Sequence, residues 1–464
     1  MSTPTGDDSW LESALSEAGI DLIGLSGSVQ LTGGASRTTR RISLELVGGA
    51  TRSVIVQEGR AGFPGLGPET EAVLLTAADA AGAVVPEVIC AGGDAFRTWL
   101  VTADVEGETI ARRILREDDL ADARRGLVAE CARAIAAIHT VEIDELGLGE
   151  PVDQLDHWRR QLATFGHPHP AIEFALAHLE ATRPEPTPVR LVHGDFRLGN
   201  FVVDESGLRS VLDWELAHLG DPVEDLGWLC SRPWRFGSTE PVGGLGERSE
   251  LLAAYREAGG AEVDPAHLDW WELFACVRWA IICTLQTGAH LSGAHRSVEL
   301  AAIGRRVCEA EYDILRHLAP DELDHCVEWS DSESTPTAPE STADLSWAPH
   351  DPPDVIDLVA TVEELLRSDV IGQTSGRTSF MSRIAANVLA TVGRELSLGP
   401  SQARRHGERL AAISVADDAS LARRIADGTI DPDQSLEVIV GAVVARLVVA
   451  NPTYARSPHT EQWH

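Results

Sequence analysis

The residues best suited to chemistry lie in one stretch, 191–225, which reads LVHGDFRLGNFVVDESGLRSVLDWELAHLGDPVED. Phosphoryl transfer needs a carboxylate to accept the proton of the attacking hydroxyl, oxygen ligands for Mg²⁺ and a cation to offset charge on the transferring group. Asp195 suits the first of these roles and Arg197 suits the third. Asn200 and Asp213 suit the role of metal ligands. The stretch therefore predicts a site for Mg²⁺-dependent phosphoryl transfer from ATP.

The alternative is that these polar residues only terminate a hairpin, because Asp and Asn are both favoured in turns. Each residue taken singly fits that interpretation. The ordered run 193–200, followed at a suitable distance by Asp213, is hard to obtain from turn preference alone. We therefore favour the catalytic interpretation, in which a loop displays polar side chains where strands end.

Short strand-like runs precede residue 105, and helical patterns follow it. The strand-like runs cover 40–47, 53–57, 87–91 and 99–103, and one predicted helix at 68–81 interrupts them. The main helices predicted afterwards cover 120–139, 265–285 and 294–318. Strands first and helices later predict an α+β body of two lobes, in which a strand-loop-strand patch at 190–212 carries the polar stretch.

The composition excludes several classes of protein. The chain has 464 residues and a formal charge of −34, and all 38 of its basic residues are arginine. Nucleic-acid affinity comes mostly from clustered Lys and Arg, so we expect no nucleic-acid partner. No apolar run is long enough to predict a membrane span, and the first residues carry no signal pattern. The seven scattered cysteines lack the spacing of zinc or redox sites, so we expect reduced thiols and a cytoplasmic protein.

Residues 328–353 are rich in Ser, Thr, Pro and acidic residues and have no apolar period, which is typical of a disordered linker. Before it, we expect a small β-rich lobe at 1–104 and a larger helical lobe at 105–327. After it, we expect a separate all-α domain at 354–464, whose role no residue cluster indicates. The helices predicted there cover 355–367, 378–396, 402–413 and 434–449.

The octapeptide HGDFRLGN at 193–200 aligns position for position with the catalytic loop of kinases, His-Arg-Asp-Leu-Lys-x-x-Asn. Gly194, at the second place, is the form found in the aminoglycoside phosphotransferase and choline kinase-like family. The segment that begins at Asp213 also resembles the metal-binding segment of that family. The resemblance covers roughly residues 20–320, and it implies a two-lobed protein-kinase-like fold, ATP and Mg²⁺ as cofactors and a small-molecule hydroxyl acceptor.

The same resemblance implies further site residues. The segment from Leu31 to Ser36 is similar to the family's short Gly-rich phosphate loop, and 100–103 is similar to the hinge strand that receives adenine. The implied nucleotide-binding residues are Gly33, Gly34, Ser36, Glu71 and Ala103. Supporting roles are assigned to His193, Glu215, Asp221 and Asp225. We expect the last two to cap the following helix and to brace the metal loop.

One position departs from the family pattern. The family places Lys or Arg on the third strand, where the cation holds the ATP phosphates and pairs with a helix glutamate. This chain reads Val-Ile-Val-Gln-Glu at 54–58, with no cation on the strand. Two hypotheses therefore stay open: an active small-molecule kinase, and a nucleotide-binding pseudokinase that acts as an interaction protein.

Further segments, at 137–141 and 147–149, resemble the subgroup associated with acyl-CoA dehydrogenases, which implies a hydroxyacyl-CoA acceptor. Arg232 and Arg235 are candidates to bind its phosphates, because arginine binds phosphate in a bidentate manner. The alternative is that both arginines lie on a solvated loop. Residues 354–464 resemble an uncharacterised helical domain found after such phosphotransferases, which we consider a candidate for protein partners or self-association.

Overall fold

A five-stranded antiparallel sheet forms the amino-terminal lobe. The computed structural model describes residues 8–31, 37–60, 66–164, 166–333 and 353–454. The strands lie in the order β1-β2-β3-β5-β4. Their bounds are β1 (Leu22–Gln30), β2 (Thr38–Leu46), β3 (Thr51–Arg60), β4 (Val88–Gly93) and β5 (Arg97–Ala103). Helix α1 (Ser9–Glu17) shares a hydrophobic core with this sheet, and helix α2 (Pro68–Ala80) follows β3 in the chain.

The predicted strand-like runs correspond to β2, β3, β4 and β5, and the predicted helix at 68–81 corresponds to α2. Strand β1 was absent from the prediction. Its residues, LIGLSGSVQ, include two glycines, and none of its positions is fully buried. The alternation of apolar and polar residues that marks a half-buried strand is therefore lost, and only pairing with β2 at the sheet edge defines β1.

Helices dominate after the sheet. They are α3 (Ala111–Arg116), α4 (Ala121–His139), α5 (Gln154–Ala163), α6 (Pro170–Ala181), α7 (Val223–Cys230), α8 (Arg248–Glu257), α9 (Pro265–Leu291), α10 (Val298–Arg305), α11 (Val307–Leu318) and α12 (Pro320–Glu333). Helix α9 begins at the predicted proline, whereas the single helix predicted over 294–318 is in fact α10 and α11. A break at Arg306 separates these two helices.

Two short antiparallel ladders lie between α6 and α7 and carry the polar stretch. Strand β6 (Arg190–Val192) pairs with β9 (His218–Gly220), and β7 (Phe201–Asp204) pairs with β8 (Gly207–Val211). The chain between the sheet and α3 is bonded to β7, because the backbone groups of Glu108 and Val203 exchange two hydrogen bonds of 2.8 and 3.0 Å. Gly107 precedes this bridge, and a Cβ there would lie 2.8 Å from the Val203 carbonyl oxygen. The close approach requires glycine.

The chain divides into two compact units. The first comprises Met1–Val152, Glu185–Arg235 and Glu240–Trp271, and it contains the sheet and the polar stretch. The second comprises Asp153–Pro184, Phe236–Thr239 and Glu272–His464. The second unit therefore contains α5, α6, α10, α11 and α12 together with the carboxyl-terminal helices.

The carboxyl-terminal region is helical, as predicted. Its helices are α13 (Val355–Leu365), α14 (Ile371–Gln373), α15 (Gly376–Ala412), α16 (Asp418–Ala426) and α17 (Pro432–Ala450). Helix α15 runs through Pro400, where the sequence predicts a break between two helices. Proline removes one backbone hydrogen bond, but Gln402 Nε2 donates to the Ala445 carbonyl of α17 at 3.1 Å and ties this part of the helix to its neighbour.

One hydrophobic core of the second unit contains residues from both sides of the predicted linker. Tyr312 of α11 and Leu323 of α12 are buried in it together with Leu410 of α15 and Val443 of α17. Helix α12 continues past the predicted start of the linker at 328, and positions 334–352 lie outside the described residues. The independence of 354–464 as a domain stays a prediction. Across the ranges that the structure describes, no helix combines the length and the apolar character needed to span a bilayer.

Candidate active site

The loop between β6 and β7 carries His193, Asp195 and Asn200. Gly194 has a φ of +80°, and a Cβ at this position would lie 2.4 Å from the carbonyl oxygen of Leu216. Only glycine accommodates both the backbone conformation and the close approach. The glycine therefore lets this loop pack directly against the segment that follows Asp213.

Three side-chain donors hold the carboxylate of Asp195. Arg197 Nε at 3.0 Å and Trp228 Nε1 at 2.8 Å donate to Oδ1, and Asn200 Nδ2 at 2.6 Å donates to Oδ2. The guanidinium of Arg197 also lies 4.2 Å from the ring centroid of Trp234. A carboxylate held through both oxygens keeps one orientation, which suits a group that accepts a proton from a positioned hydroxyl.

Asn200 connects Asp195 to the segment that leads into Asp213. Its amide nitrogen donates to the backbone oxygen of Asp195 at 2.9 Å as well as to the carboxylate. Because the amide has two N–H donors and one carbonyl oxygen, the oxygen is the atom suited to a cation. Its backbone carbonyl accepts from the N–H of Leu212 at 2.7 Å, which brings the chain back immediately before Asp213.

Asp213 occupies an unusual environment. Its φ of +64° is a left-handed conformation that residues other than glycine rarely adopt. Burial raises the pKa of Asp213 to about 7, and the negative charges of Glu215, Asp195 and Glu71 contribute further, while Arg197 opposes them. The carboxylates of the site thus repel one another more than the local guanidinium compensates.

This donor set fits a divalent cation that arrives with a nucleotide. Within the described ranges, no three His, Cys, Asp or Glu side chains are arranged to hold a metal by themselves. Mg²⁺ on a nucleotide needs fewer protein ligands, since one or two carboxylates and the phosphates complete its coordination. A cation bound at Asp213 and Asn200 would also offset the burial and the repulsion that together raise the pKa of Asp213.

Asp225 holds the backbone of the loop between β6 and β7, whereas the sequence predicts that it caps α7 and braces the metal loop. Its two carboxylate oxygens accept from the backbone N–H groups of His193 and Gly194, both at 2.8 Å, and His139 Nε2 lies 3.2 Å from Oδ2. Burial alone would raise the pKa of Asp225, but the hydrogen bond and charge of His139 outweigh it and keep the pKa below its usual value. His139 also contacts the hydroxyl of Tyr255 at 2.8 Å, which makes it part of this support.

His193 links the loop between β6 and β7 to the segment immediately before Asp213. Its Nδ1 accepts from the backbone N–H of Asp195 at 3.1 Å, so Nε2 carries the hydrogen that is donated to the Leu212 carbonyl at 3.1 Å. Complete burial lowers the pKa of His193 and favours this neutral form. Both ring nitrogens of His193 are therefore engaged by backbone groups of the site.

Asp221 makes hydrogen bonds that support α7, whereas Glu215 contributes charge to the site. Asp221 accepts from the N–H of Val223 at 2.9 Å at the start of α7, and His267 Nε2 lies 2.9 Å from its other oxygen. Burial opposes the His267 contact, but the pKa of Asp221 is nevertheless lowered. Glu215 instead adds negative charge next to Asp213 and Glu71.

Two of the five predicted nucleotide-binding residues, Glu71 and Ala103, lie in the described part of the chain. Glu71 is buried on α2 and contacts the guanidinium of Arg37, a partner that the sequence analysis does not identify. The N–H of Ala103 donates to the Glu87 carbonyl at 2.8 Å, and a role of Ala103 toward adenine stays a prediction. Three further predicted residues, Gly33, Gly34 and Ser36, lie outside the described residues.

Arg232 and Arg235 lie on a short 3₁₀ turn after α7. The Arg235 guanidinium donates to the carbonyl oxygen of Cys230 through Nε at 3.0 Å and Nη2 at 2.8 Å, and it thereby caps the end of that helix. These bonds explain the orientation of Arg235 without a ligand. A role of either arginine toward an acceptor stays a prediction.

Comparison with known proteins agrees with this geometry. A family model described as the phosphotransferase enzyme family matches residues 30–271. The chain belongs to this family. A second model, described as a domain of unknown function (DUF6285), matches residues 372–454 in the carboxyl-terminal helical region.

Relatives of the family member described here include two mouse proteins. Acyl-CoA dehydrogenase family member 10 from Mus musculus is 31% identical over 117 residues, which are 23% of this chain and 11% of that protein. Acyl-CoA dehydrogenase family member 11 from Mus musculus is 28% identical over 187 residues, 36% of this chain and 24% of that protein. The chain thus spans a quarter or less of the length of these relatives.

A solved structure from Ralstonia eutropha, named as an aminoglycoside phosphotransferase, superposes with a TM-score of 0.52. It is 22% identical, and the match covers 67% of this chain and 98% of that one. The two-lobed kinase-like phosphotransferase fold expected from the catalytic loop is therefore confirmed.

Three residues that the sequence analysis did not place in the site belong to it: Arg37, Trp228 and Trp234. Trp228 follows Asp195 by 33 positions, and its indole N–H reaches the carboxylate because α7 folds back over the catalytic loop. The sequence feature that could have indicated them is the pair Trp228 and Trp234, which follow Asp213 closely in the chain. A buried tryptophan needs a partner for its N–H, and a nearby carboxylate is a natural one.

Proposed function

We propose that this phosphotransferase moves the γ-phosphoryl group of ATP to a hydroxyl group of a small molecule. The arrangement that carries the proposal is the Asp195 carboxylate, oriented by Arg197, Trp228 and Asn200 next to the acidic metal loop. Such a carboxylate suits the acceptor hydroxyl, whose proton moves to Asp195 as the new O–P bond forms and ADP leaves.

The other residues take separate parts in this reaction. Asn200 and Asp213 would hold Mg²⁺, which supplies positive charge to the phosphate oxygens when it is bound. Arg197 pairs with the same carboxylate at 3.0 Å, and its guanidinium would offset the charge that develops on the transferring group. The close approach at Gly194 holds the catalytic and metal loops together, so that these groups act on one phosphoryl group.

For the acceptor, we propose a hydroxyacyl-CoA. The support is the likeness to acyl-CoA dehydrogenase family members 10 and 11, whose names connect them to acyl-CoA chemistry. An acceptor of this kind carries phosphates that Arg232 could meet. An aminoglycoside is the competing acceptor, and comparison of turnover with both classes of compound distinguishes them.

A second candidate is a pseudokinase that binds nucleotide without turnover. The observation that favours it is the uncharged Gln57 in the middle of β3, where related kinases carry a cation. The candidates differ in one measurement: Mg·ATP consumption beside Mg·ATP binding by the purified full chain. Binding without consumption on any acceptor would favour the pseudokinase.

Two substitutions test the kinase mechanism. Asp195→Asn keeps the size of the side chain and removes the base, so the chemical step should fall about 10²–10⁴-fold while Mg·ATP binding survives. Asp213→Asn removes a charged metal ligand, so Mg·ATP binding should weaken and added Mg²⁺ should restore part of it. Asp204→Asn, at the end of β7, is the matched control. Intact Mg·ATP affinity in folded Asp213→Asn would refute the metal assignment.

We also propose that the protein is cytoplasmic and that the carboxyl-terminal helices bind a protein partner or a second copy. All seven cysteines are free thiols, which supports a reducing compartment. Leu358, Val362 and Leu365 expose apolar side chains along α13, which supports an interaction surface. Serine at these three positions should change the molar mass measured by light scattering if the protein self-associates.

A further inference from the structure

The two faces of the amino-terminal sheet have different chemistry. Val54 and Val56 of β3 are buried in the core that includes α1. Because side chains alternate along a strand, Ile55, Gln57 and Gly59 belong to the opposite face. Gln57 carries no charge, so β3 itself brings no cation to this second face.

Three arginines of the sheet form ion pairs with carboxylates other than Glu71. Arg40 bonds to Asp8 and Glu58 at 2.9 and 2.6 Å. Arg41 pairs with Asp104 at 2.7 Å, and Arg52 pairs with Glu87 at 2.7 Å, both with substantial exposure to solvent. None of these three arginines contacts Glu71 in the described part of the chain.

Arg37 is the residue that meets Glu71. Its guanidinium contacts the Glu71 carboxylate, and Nη2 donates to the Leu66 carbonyl at 2.8 Å. In the β2–β3 register, Thr38 pairs with Glu58 and Thr39 with Gln57, so Arg37 lies on the same face as Gln57. Arg37, immediately before β2, thus supplies to Glu71 the cation that the middle of β3 lacks.

The packing around Arg37 leaves room for this arrangement. A Cβ added at Gly59 would lie 3.8 Å from Arg37 Cγ, which is ordinary van der Waals contact, and 2.9 Å from Thr98 Oγ1, which is too close. The side chain of Arg37 is only 16% exposed, and that of Glu71 is 4% exposed. The aliphatic part of Arg37 lies over the glycine, while its charged end reaches α2.

Glu71 connects Arg37 to the metal loop. The charge of Glu71 contributes to the raised pKa of Asp213, and the charge of Glu215 acts in turn on Glu71. Glu71 is therefore within electrostatic range of Asp213 and Glu215. Arg37 also follows directly on 32–36, the segment that resembles a phosphate loop.

We propose that Arg37 is the residue that binds the nucleotide phosphates in this protein, and that Glu71 is the positioning residue that orients it. The inference rests on the proposed function, because it assumes that ATP is the nucleotide. A guanidinium has five N–H donors, and the contacts with Glu71 and Leu66 use two of them within the described structure. The remaining donors suit phosphate oxygens, to which arginine binds through its planar fork.

The test measures whether Arg37 recognises phosphate specifically. In the full chain, Arg37→Gln should weaken Mg·ATP binding about 10- to 100-fold, as expected for lost hydrogen bonds to a charged group. Adenosine has no phosphate, so calorimetry should show its affinity within about twofold of wild type. Arg52→Gln, which removes another arginine of the same sheet, should leave both affinities unchanged. Arg37→Gln combined with Gln57→Lys should recover part of the ATP affinity, because position 57 shares the face.

The outcomes separate this inference from the proposed function. A wild-type protein that binds no Mg·ATP would overturn both. Wild-type binding together with equal Mg·ATP affinity in Arg37→Gln would overturn the inference alone. Equal loss of adenosine and ATP would show that Arg37 is structural, which also overturns it. If Arg37→Gln does not fold, Arg37→Met replaces it, because methionine keeps an apolar stem without the charge. Loss of ATP affinity with adenosine binding retained supports the inference, and unchanged ATP affinity contradicts it.

Discussion

Asp213 in the first unit and Glu311 in the second are both buried carboxylates, and their pKa values are displaced in opposite directions. Burial and neighbouring carboxylates raise the pKa of Asp213 to about 7. Burial opposes the Glu311 charge as well, but Arg446 and His169 outweigh it and lower the pKa of Glu311 to about 2. Arg446 Nη2 lies 2.9 Å from one oxygen, and His169 Nδ1 lies 3.1 Å from the other.

The difference shows which region is complete without a ligand. In the helical second unit, each oxygen of Glu311 has a basic partner from the same chain, so the cost of burying its charge is offset. Near Asp213, the carboxylates of Asp195, Glu215 and Glu71 add negative charge. These carboxylates outnumber the guanidiniums of Arg37 and Arg197, so a bound cation would be needed to neutralise the site. A group of buried carboxylates that lacks compensating positive charge is typical of a binding site.

The largest effect on stability is expected from Arg446→Met, which leaves Glu311 buried without its strongest partner. Removal of one partner of a buried pair costs about 3–5 kcal/mol, and because Arg446 is 36% exposed we expect about 2–3 kcal/mol. Denaturant unfolding measures the change. Arg423→Met, an exposed arginine on α16, is the control.

A double variant sharpens this test. Glu311→Gln together with Arg446→Met removes the uncompensated charge, so most of the lost stability should return. Equal destabilisation by the single and double variants would show that the packing of the Arg446 stem matters and that its charge does not.

The opposite pKa displacements predict opposite responses to pH. The folded pKa of Asp213 lies above its unfolded value of about 3.9, so the folded state holds the extra proton and metal-free stability from this group falls as pH rises from about 4 to 7. At pH 8, Asp213→Asn should therefore unfold at a higher temperature than wild type, with a gain of about 1–3 kcal/mol. Equal melting temperatures across this range would contradict the repulsion around Asp213.

Glu311 behaves in the reverse way. Its folded pKa of about 2 lies below its unfolded value, so the stability that it contributes is present above about pH 4.3 and is lost as pH falls toward 2. Glu311→Gln should flatten the acid limb of the stability curve, which thermal unfolding at a series of pH values measures. Asp213→Asn should leave that limb unchanged.

Trp228→Phe tests how far orientation of Asp195 matters. The variant keeps an aromatic ring in the core and removes the N–H that donates to Asp195. Loss of one hydrogen bond to a charged group should lower kcat about 10-fold, with little change in the KM for ATP. Trp158→Phe is the matched control, because Trp158 is buried but its indole nitrogen has no partner in the described structure. An equal fall in both variants would point to packing alone.

The smallest effect is expected at the exposed pair of Arg305 on α10 and Glu395 on α15. Its atoms are 2.7 Å apart, but the side chains are 47% and 51% exposed, so water and salt screen the attraction. Arg305→Gln should change stability by less than about 1 kcal/mol. A larger loss in chemical denaturation would mean that this contact fixes the carboxyl-terminal region more firmly than its exposure suggests.

The catalytic loop could be predicted because its chemistry is local. The positions of Asp195 and Asn200 follow from five intervening peptide steps, and the Asn200 amide reaches the Asp195 carboxylate within that loop. Strands β2 to β5 and the helices α2, α4 and α9 were also predictable, since their residue types and periods are properties of short segments. The edge strand β1 and the break at Arg306 escaped prediction, because neither changes the apolar period enough to be seen.

The sequence by itself determined the polar run at 193–200, the order of strands before helices and the absence of a cation from the middle of the third strand. Tertiary structure alone decided which distant groups compensate one another. Arg37 meets Glu71 across 34 positions, and Tyr312 shares a core with Val443 from beyond the predicted linker. The physical reason is that a sequence pattern records the type and period of side chains, whereas charge pairing and apolar packing depend on which surfaces folding brings into contact.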